Sequence, residues 1–522
     1  MGRIFNVAGP CNPQKHYMID AARRLGAEVF SLISEEQFFV IHAARQTGKT
    51  TLLVDLTERL NHEGQYYALY CSLENADGHP DPETGVPIIL NAIERELTLN
   101  CFPHLDKFKE GAKIGGSADA LQNALIAYCR SIEKPLVIFF DEADSLSGQT
   151  LITFLRQLRN GYVNRARYSF VHSLGLIGMR NIRDYRDQYR SPEQTLGSIS
   201  PFNIVTSAMT LRNFTHEEIA ELYAQHTADT GQTFEEAATE LVWRRTQGQP
   251  WLVNAIAREI VQNITKEEPQ SPATAQMAEA AIQTLILQRG THFDSLMARL
   301  REERVQRVIE PIITGGTGRV DPNEDDYLYA KDVGLIRDDR KKVEPANPIY
   351  GEIIVRTLNW RTQQEIERHG AAYQLPRYLK EDGTLDMDYL LRDFQSFWRE
   401  NAAIWQERYD YKEAGPQLVM QAFLQRVVNG GGQILREMAA ETRRVDLCVV
   451  FKERKYPIEL KIRYSEGTRD EGLKQITAYM DTLGVDAGWL VIFDRRKTIS
   501  WKKKLTVKKQ SVDGKTVNLI GC

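Results

Sequence analysis

FFVIHAARQTGKTTLL, residues Phe38 to Leu53, joins a short apolar run to a polar turn and then to a helix-like stretch. FFVIHA has the continuous apolar character of a buried strand, and KTTLL opens a helix. A helix N-terminus after such a turn presents unpaired backbone N–H groups that converge on phosphate, with the helix dipole behind them. The candidate phosphate-binding residues are therefore Ala43, Arg45, Gln46, Thr47, Gly48, Lys49, Thr50 and Thr51. Lys49 would reach the β and γ phosphates, and the Thr50 hydroxyl would ligate Mg²⁺. Gly48 stands where backbone must come closest. Ala43 stands where this motif expects glycine, but at the first position of the loop, where alanine adds only a methyl group and a φ restriction.

A second motif follows in LVIFFDEAD, residues 136 to 144. An apolar strand ends there in Asp141 and Glu142. A strand-end aspartate can hold the shell of a Mg²⁺ ion, and the next glutamate can orient or deprotonate an attacking water. Together the two motifs imply ATP and Mg²⁺ as cofactors.

Working outward, residues 1 to 210 alternate strand-like runs (38 to 43, 66 to 73, 136 to 141 and 170 to 179) with amphipathic stretches, the pattern of a parallel sheet covered by helices. Residues 211 to 290 read as a helical subdomain. FTHEEIAELYAQHT opens it with Thr215 as N-cap and Glu218 three residues later, and Pro250 starts another helix in GQPWLVNAIAREIV. Residues 291 to 357 combine basic helical stretches with two brief extended runs, the order of a winged-helix module. Residues 358 to 412 form a helical connector with Trp398 and Trp405, and residues 413 to 522 a last domain.

That last domain reads helix, three strands, helix, strand. Asp446 opens its strand, and Glu459 and Lys461, two apart on the next strand, share a face because strand side chains alternate. Two carboxylates on neighbouring strands suit Mg²⁺, and a lysine beside them could polarise water or steady developing negative charge. Asp446 and Glu459 are thus candidate metal ligands, with Lys461 a third catalytic residue and Glu437 a further acidic candidate. From Arg495 to Lys515 nine Lys or Arg stand against one Asp, with Trp501 interleaved. This segment is either a flank for a phosphate backbone or a solvated tail.

A chain of 522 residues exceeds one hydrophobic core, so about three or four domains are expected. The 66 basic and 70 acidic residues nearly cancel, which removes any global electrostatic case for nucleic acid. Six scattered cysteines form no metal-ligand spacing, and no apolar run reaches the roughly 18 residues of a membrane helix. A reduced, cytoplasmic protein without membrane association follows.

From Phe5 to Tyr350 the sequence resembles the AAA-like ATPases of the signal-transducing STAND type, in GPCNPQKHYM, ARQTGKTTLL, FFDEAD, GMRNIRDY and GQP. The resemblance implies that Pro250 and its helix sense the nucleotide and that Arg180 or Arg183 approaches the γ-phosphate. Residues 416 to 500 resemble the PD-(D/E)XK nuclease superfamily, in the order Asp446, Glu459, Lys461 and then a helix with Gln475. Val445 departs from the proline of that family's name. The expected fold class is multidomain α/β: a P-loop AAA-like core with parallel sheet, a helical subdomain, a winged helix and a C-terminal restriction-endonuclease-like α/β domain. The expected function is an ATP-binding, ATP-hydrolysing switch coupled to Mg²⁺-dependent cleavage of nucleic acid, DNA foremost. The alternatives are a nucleotide-gated interaction scaffold with an inactive nuclease-like domain, and a motor of the helicase-loader kind. A homo-oligomer is compatible with each.

Overall fold

The computed structural model describes residues 2–26, 28–178, 205–266, 268, 270–288, 291–313, 324–339, 342–354, 375–408, 414–428, 432–440, 443–463, 468–494, 496 and 499–522. The chain divides into two compact units. The first holds residues 1–295 with 321–342 and 346–349, and the second holds 296–320, 343–345 and 350–522.

The first unit is built on five parallel strands, β1 (Phe38–His42), β2 (Tyr67–Ser72), β3 (Leu136–Asp141), β4 (Ser173–Gly178) and β5 (Val205–Thr210), in the spatial order β2-β3-β4-β1-β5. Successive residues of β1 feed opposite cores. Phe38 and Val40 join Ile138, Phe140 and Phe154 on one face, whereas Phe39 and Ile41 join Leu52, Leu56 and Phe139 on the other. A strand buried on both faces must be apolar throughout, which is why FFVI shows no alternation. Helices α1 (Glu28–Ser34) and α2 (Lys49–Glu63) cover the second face, and α3 (Pro82–Leu99), α4 (Leu105–Ala112), α5 (Ala120–Cys129) and α6 (Gly148–Val163) cover the first. The four strands read from the sequence are present, while β5, VTSAMT, lies at the sheet edge and is too polar to stand out as a buried run.

Four helices follow: α7 (His216–Thr230), α8 (Glu236–Thr246), α9 (Pro250–Glu259) and α10 (Ala275–Gln288). The start of α7 is the capping box its sequence foretells. The Glu218 N–H donates to Thr215 Oγ1 at 3.2 Å and the Thr215 N–H donates to Glu218 Oε2 at 2.9 Å, an arrangement contributing about 1 kcal/mol. Gly248, just before α9, has φ +71°, and a Cβ there would fall 1.9 Å from the Phe214 carbonyl oxygen. No other residue fits. In the stretch read as a winged helix, helices Glu303–Ile313 and Asp325–Asp332 precede the short strands β6 (Ile336–Asp339) and β7 (Lys342–Pro345).

The second unit carries a six-stranded mixed sheet, β8 (Gly432–Ala440), β9 (Arg443–Phe451), β10 (Arg454–Arg463), β11 (Ala487–Asp494), β12 (Thr506–Val512) and β13 (Lys515–Gly521), in the order β12-β13-β11-β10-β9-β8. Strands β10, β11 and β13 run parallel, and the other neighbours are antiparallel. Phe394, Phe397 and Trp398 of α11 (Met387–Arg408) and Phe423 of α12 (Ala414–Val428) pack with Ile458, Leu460, Val491 and Phe493. Leu473, Ile476 and Met480 of α13 (Thr468–Leu483) pack with Leu490, Ile492 and Leu519 on the opposite face. The helix, three strands, helix and strand of the sequence reading are all present. The basic segment after them is no loose tail: it contains the turn α14 (Trp501–Lys504) and a hairpin, β12–β13. Asp513 (φ 50°) and Gly514 (φ 79°) make its two-residue turn, the dipeptide that positive φ at both positions selects.

Candidate functional site

The phosphate loop runs from the end of β1 to the first residue of α2. Its left-handed positions are Gln46 (φ 56°) and Gly48 (φ 90°), and Ala43 is not among them. Ala43 is buried, and its N–H donates to the Gly178 carbonyl at 3.2 Å, carrying the β1–β4 pairing one step further. It ends a strand rather than turning the chain, so glycine's freedom is not needed there. Lys49 Nζ donates to the carbonyls of Ala43 at 2.7 Å and Ala44 at 3.1 Å. Burial lowers the Lys49 pKa, and Asp144, Asp141 and Glu142 partly restore it. Thr47 Oγ1 closes the turn onto the Ala44 carbonyl at 2.8 Å. Arg45 donates to Ser295 Oγ at 2.7 Å.

The two motifs meet at the C-terminal edge of the sheet. Strand β4 separates β3 from β1, yet Thr50 Oγ1 donates to Asp141 Oδ2 at 2.8 Å across 91 residues of sequence. Asp141 is only 2% exposed. Its Oδ1 accepts from the Glu142 N–H at 2.9 Å, and Oδ2 also accepts from the Tyr70 hydroxyl at 3.2 Å. A hydroxyl and a buried carboxylate held together are hard oxygen donors of the kind Mg²⁺ takes, so these residues fit the expected ion. Glu142 adopts φ 54°, uncommon for a side chain with a Cβ and found at functional turns. Its carboxyl reaches solvent, but the protein around it raises its pKa, chiefly by desolvation and then by Glu74, Asp141 and Asp144.

Two residues of this site carry little sequence signal. Tyr70 sits in an ordinary apolar strand. Arg24, in the run AARR, is 5% exposed, and its Nε and Nη2 donate to the Arg212 carbonyl at 2.9 and 2.6 Å. Burial pulls its pKa down to about 10, against the nearby Glu218. A Cβ on Gly48 would lie 3.2 Å from Arg24 Nη1, so this guanidinium adjoins the phosphate loop. The upstream segment and α9 close in as well: the Cys11 N–H donates to Thr51 Oγ1 at 3.0 Å, Trp251 Nε1 to the Val7 carbonyl at 2.9 Å, and Gln249 Nε2 to the Gln46 carbonyl at 3.3 Å. Pro250 is the first residue of α9, beside that last contact. Arg180 and Arg183 lie outside the described residues.

The sequence matches the AAA-like domain family over residues 28–355, more than half of the chain. The chain belongs to that family. It is a AAA-like P-loop ATPase, and nucleotide binding goes with that assignment. Among solved structures it is similar to a Walker-type ATPase of Pyrococcus abyssi, at 13% identity over 67% of this chain and 99% of that one, with a TM-score of 0.43. Cdc6p of Pyrobaculum aerophilum (13%, 65% and 93%, TM-score 0.36) and the RuvB Holliday junction branch migration motor of Thermotoga maritima (15%, 62% and 90%, TM-score 0.32) are also similar. At these identities and scores the three add nothing to the family assignment. A comparison with curated proteins gave no match. No described helix is long and apolar enough to cross a membrane.

Beyond the family match, the second unit of this AAA-like protein holds the other candidate residues. Leu447 on β9 pairs with Arg436 on β8 and Ile458 on β10. The β9–β10 pairing ends at Leu447 and Ile458, so Asp446 and Glu459 are the next residues of the two strands, and the β8–β9 register sets Glu437 opposite Asp446. Asp446 is the fourth residue of β9, not its first. The side chains of Glu437, Val445 and Asp446 are outside the described set. Glu459 is 2% exposed and its Oε1 pairs with Lys461 Nζ at 2.8 Å. Gly472 lets α13 come down on this pair, since a Cβ there would lie 3.3 Å from Lys461 Cγ and 2.7 Å from Leu490 Cδ1. Gln475 lies half-buried one turn further along the same helix. Among the described side chains no group of three or more His, Cys, Asp or Glu is gathered for a metal.

Proposed function

We propose that this protein is an ATP-hydrolysing switch of the STAND type whose C-terminal domain cleaves nucleic acid, DNA foremost, with Mg²⁺. The Thr50–Asp141 contact carries the first half, because it joins two motifs distant in sequence into one donor set. Backbone N–H groups at the start of α2 and the Lys49 ammonium bind the phosphates, and Glu142 takes or orients the proton of the attacking water. Arg24, beside Gly48, adds positive charge at the loop. When bound beside Thr50 and Asp141, Mg²⁺ neutralises charge developing on the phosphates. Through Gln249, the start of α9 follows the conformation of Gln46, which is how the helical subdomain would read the nucleotide. Arg180 or Arg183 would complete the γ-phosphate contacts, and the helices and strands between residues 291 and 357 form the winged-helix module.

For the second half, the neighbouring positions of Glu437, Asp446 and Glu459 beside Lys461 support a PD-(D/E)XK-like centre. Asp446 and Glu459 would hold a divalent ion that activates water, and Lys461 would steady charge on the scissile phosphate. The Lys461–Glu459 ion pair also favours a second reading, a nuclease fold retained for binding, because Lys461 Nζ is engaged by Glu459 Oε1 rather than held apart from it. Incubation of the full chain with Mg²⁺ and labelled duplex, single-stranded and branched DNA and RNA decides between them. The nuclease reading expects cleavage that disappears with EDTA and in Asp446→Asn. Intact substrates throughout would leave the scaffold reading.

A further inference from the structure

A cavity of about 370 Å³ opens in the first unit between the amino-terminal residues Gly2 to Phe5, the end of α7 and the end of α9. That volume lies within the roughly 300 to 1,000 Å³ of small-molecule sites. Phe5, Tyr17 and Val261 give it an apolar wall, and Ile4, which also lines it, is one of the few described large apolar side chains left exposed, at 42%. Among the described residues around it stand two arginines and no Asp or Glu. Arg3 is already neutralised, since its Nε and Nη2 donate to the two carboxylate oxygens of Asp229, each at 2.9 Å. His226 is engaged as well. Gln232 Nε2 donates to Thr265 Oγ1 and to the Ser271 carbonyl, so its Oε1 accepts from His226 Nε2 at 3.0 Å, which leaves His226 Nδ1 to accept from the Tyr17 hydroxyl at 3.2 Å. Burial lowers the His226 pKa, in keeping with a neutral ring. Arg258 differs. Its Nε donates to Gln262 Oε1 at 2.9 Å, while its two terminal nitrogens have no partner among the described residues. Beyond Arg258, α9 runs into a π-helical turn, Ile260–Ile264, whose Val261 and Gln262 line the cavity, and such turns are rare and frequent at functional sites.

We infer that this cavity binds a small organic monocarboxylate, its carboxylate on the Arg258 guanidinium and its apolar body against Phe5, Tyr17 and Val261, and that the bound acid is an effector of the nucleotide site. Two free parallel donors on one guanidinium match a carboxylate in bidentate geometry. A phosphate dianion would need a second free cation, which neither Arg3 nor His226 supplies. A nucleobase is disfavoured because the Tyr17 ring is already covered, by the Arg3 guanidinium 5.1 Å from its centroid and by the Phe5 ring at 4.8 Å. Arg258 follows Gln249, the N-cap of α9, by nine residues, about 13 Å of helix. Gln249 Nε2 in turn donates to the Gln46 carbonyl of the phosphate loop at 3.3 Å. An acid that fixes the far end of α9 therefore acts through this helix on the loop that holds the phosphates. The effector role rests on nucleotide binding by the first unit and on nothing in the second.

The test is isothermal titration calorimetry of the full-length protein with benzoate, phenylacetate and octanoate, and with phenylacetamide and phenyl phosphate as uncharged and dianionic controls. At least one carboxylate should bind at one site per chain, more tightly than either control, and equally well to Lys49→Ala, whose phosphate loop is disabled. Arg258→Gln should weaken that binding at least about tenfold, the loss expected for charged hydrogen bonds, and so should Ile4→Glu, which sets a competing carboxylate at an exposed position; both should keep the wild-type Tm. Saturating carboxylate should shift the Kd of a fluorescent ATP analogue about fivefold or more, and the analogue should shift the carboxylate Kd by the same factor. No binding of any of the three acids, or binding unchanged in both variants, would overturn the site. Phenyl phosphate bound more tightly than the carboxylates would overturn the monocarboxylate assignment. Carboxylate binding with an unchanged analogue Kd would overturn the effector role, whereas carboxylate binding by a protein that takes up no analogue would overturn the nucleotide reading and leave the site standing.

Discussion

The phosphate loop and the C-terminal ion pair illustrate two ways for charged residues to come together. At the loop, Thr50 and Asp141 meet from β-α segments 91 residues apart, separated in the sheet by an intervening strand. Such a contact does not arise from local sequence, and it serves no core. In the second unit, Lys461 and Glu459 are two residues apart on one strand, where a shared face is automatic. What makes that pair distinctive is its depth, since Glu459 is 2% exposed and an ion pair there costs desolvation. Distance in sequence supports the first site, and burial supports the second.

The largest expected effect tests the chemistry of the first site. Glu142→Gln should lower ATP turnover about 10²- to 10⁴-fold, the contribution of a positioned general base, while a fluorescent ATP analogue still binds. Because the Glu142 pKa is raised, the acid limb of turnover should lie at higher pH than an ordinary carboxylate gives. The ionised carboxyl is also disfavoured in the fold above its unfolded pKa, so the Gln variant should melt no lower than wild type at pH 7. Next in size, Lys49→Ala removes charged hydrogen bonds to phosphate and should raise the Kd for the same analogue about 10- to 150-fold. An unchanged Kd would dissolve the contrast between the two regions. The smallest effect is the sharpest on the loop: Ala43→Gly should alter that Kd less than about twofold and lower Tm slightly, because Ala43 occupies a strand end with ordinary φ. Tighter binding in the glycine variant would show that the alanine is a functional compromise.

Much of this was legible in the sequence because it was written in local patterns. FFVI and LVIFFD announce strands buried on both faces, Thr215 with Glu218 announces a capped helix, and Glu459 with Lys461 announces a shared face. The edge strands β5 and β12 were not legible as strands, because edges need no apolar face and their polar residues read as loop or tail; β13, an internal strand with Val517, Leu519 and Ile520 buried, was hidden by the basic run that leads into it. Arg24 was hidden for another reason. A buried arginine is recognisable only through the carbonyl it serves, and Arg212 lies 188 residues away. Tyr70 likewise declares itself only once β2 and β3 are neighbours.

The central claim is that nucleotide in the first unit governs chemistry in the second. Its most direct test is the time course of metal-dependent cleavage of labelled DNA by the full chain, with and without ATP, in wild type and Lys49→Ala. The account predicts that ATP changes the wild-type rate severalfold and leaves the variant at the rate of nucleotide-free wild type. Equal rates in all four conditions would contradict it.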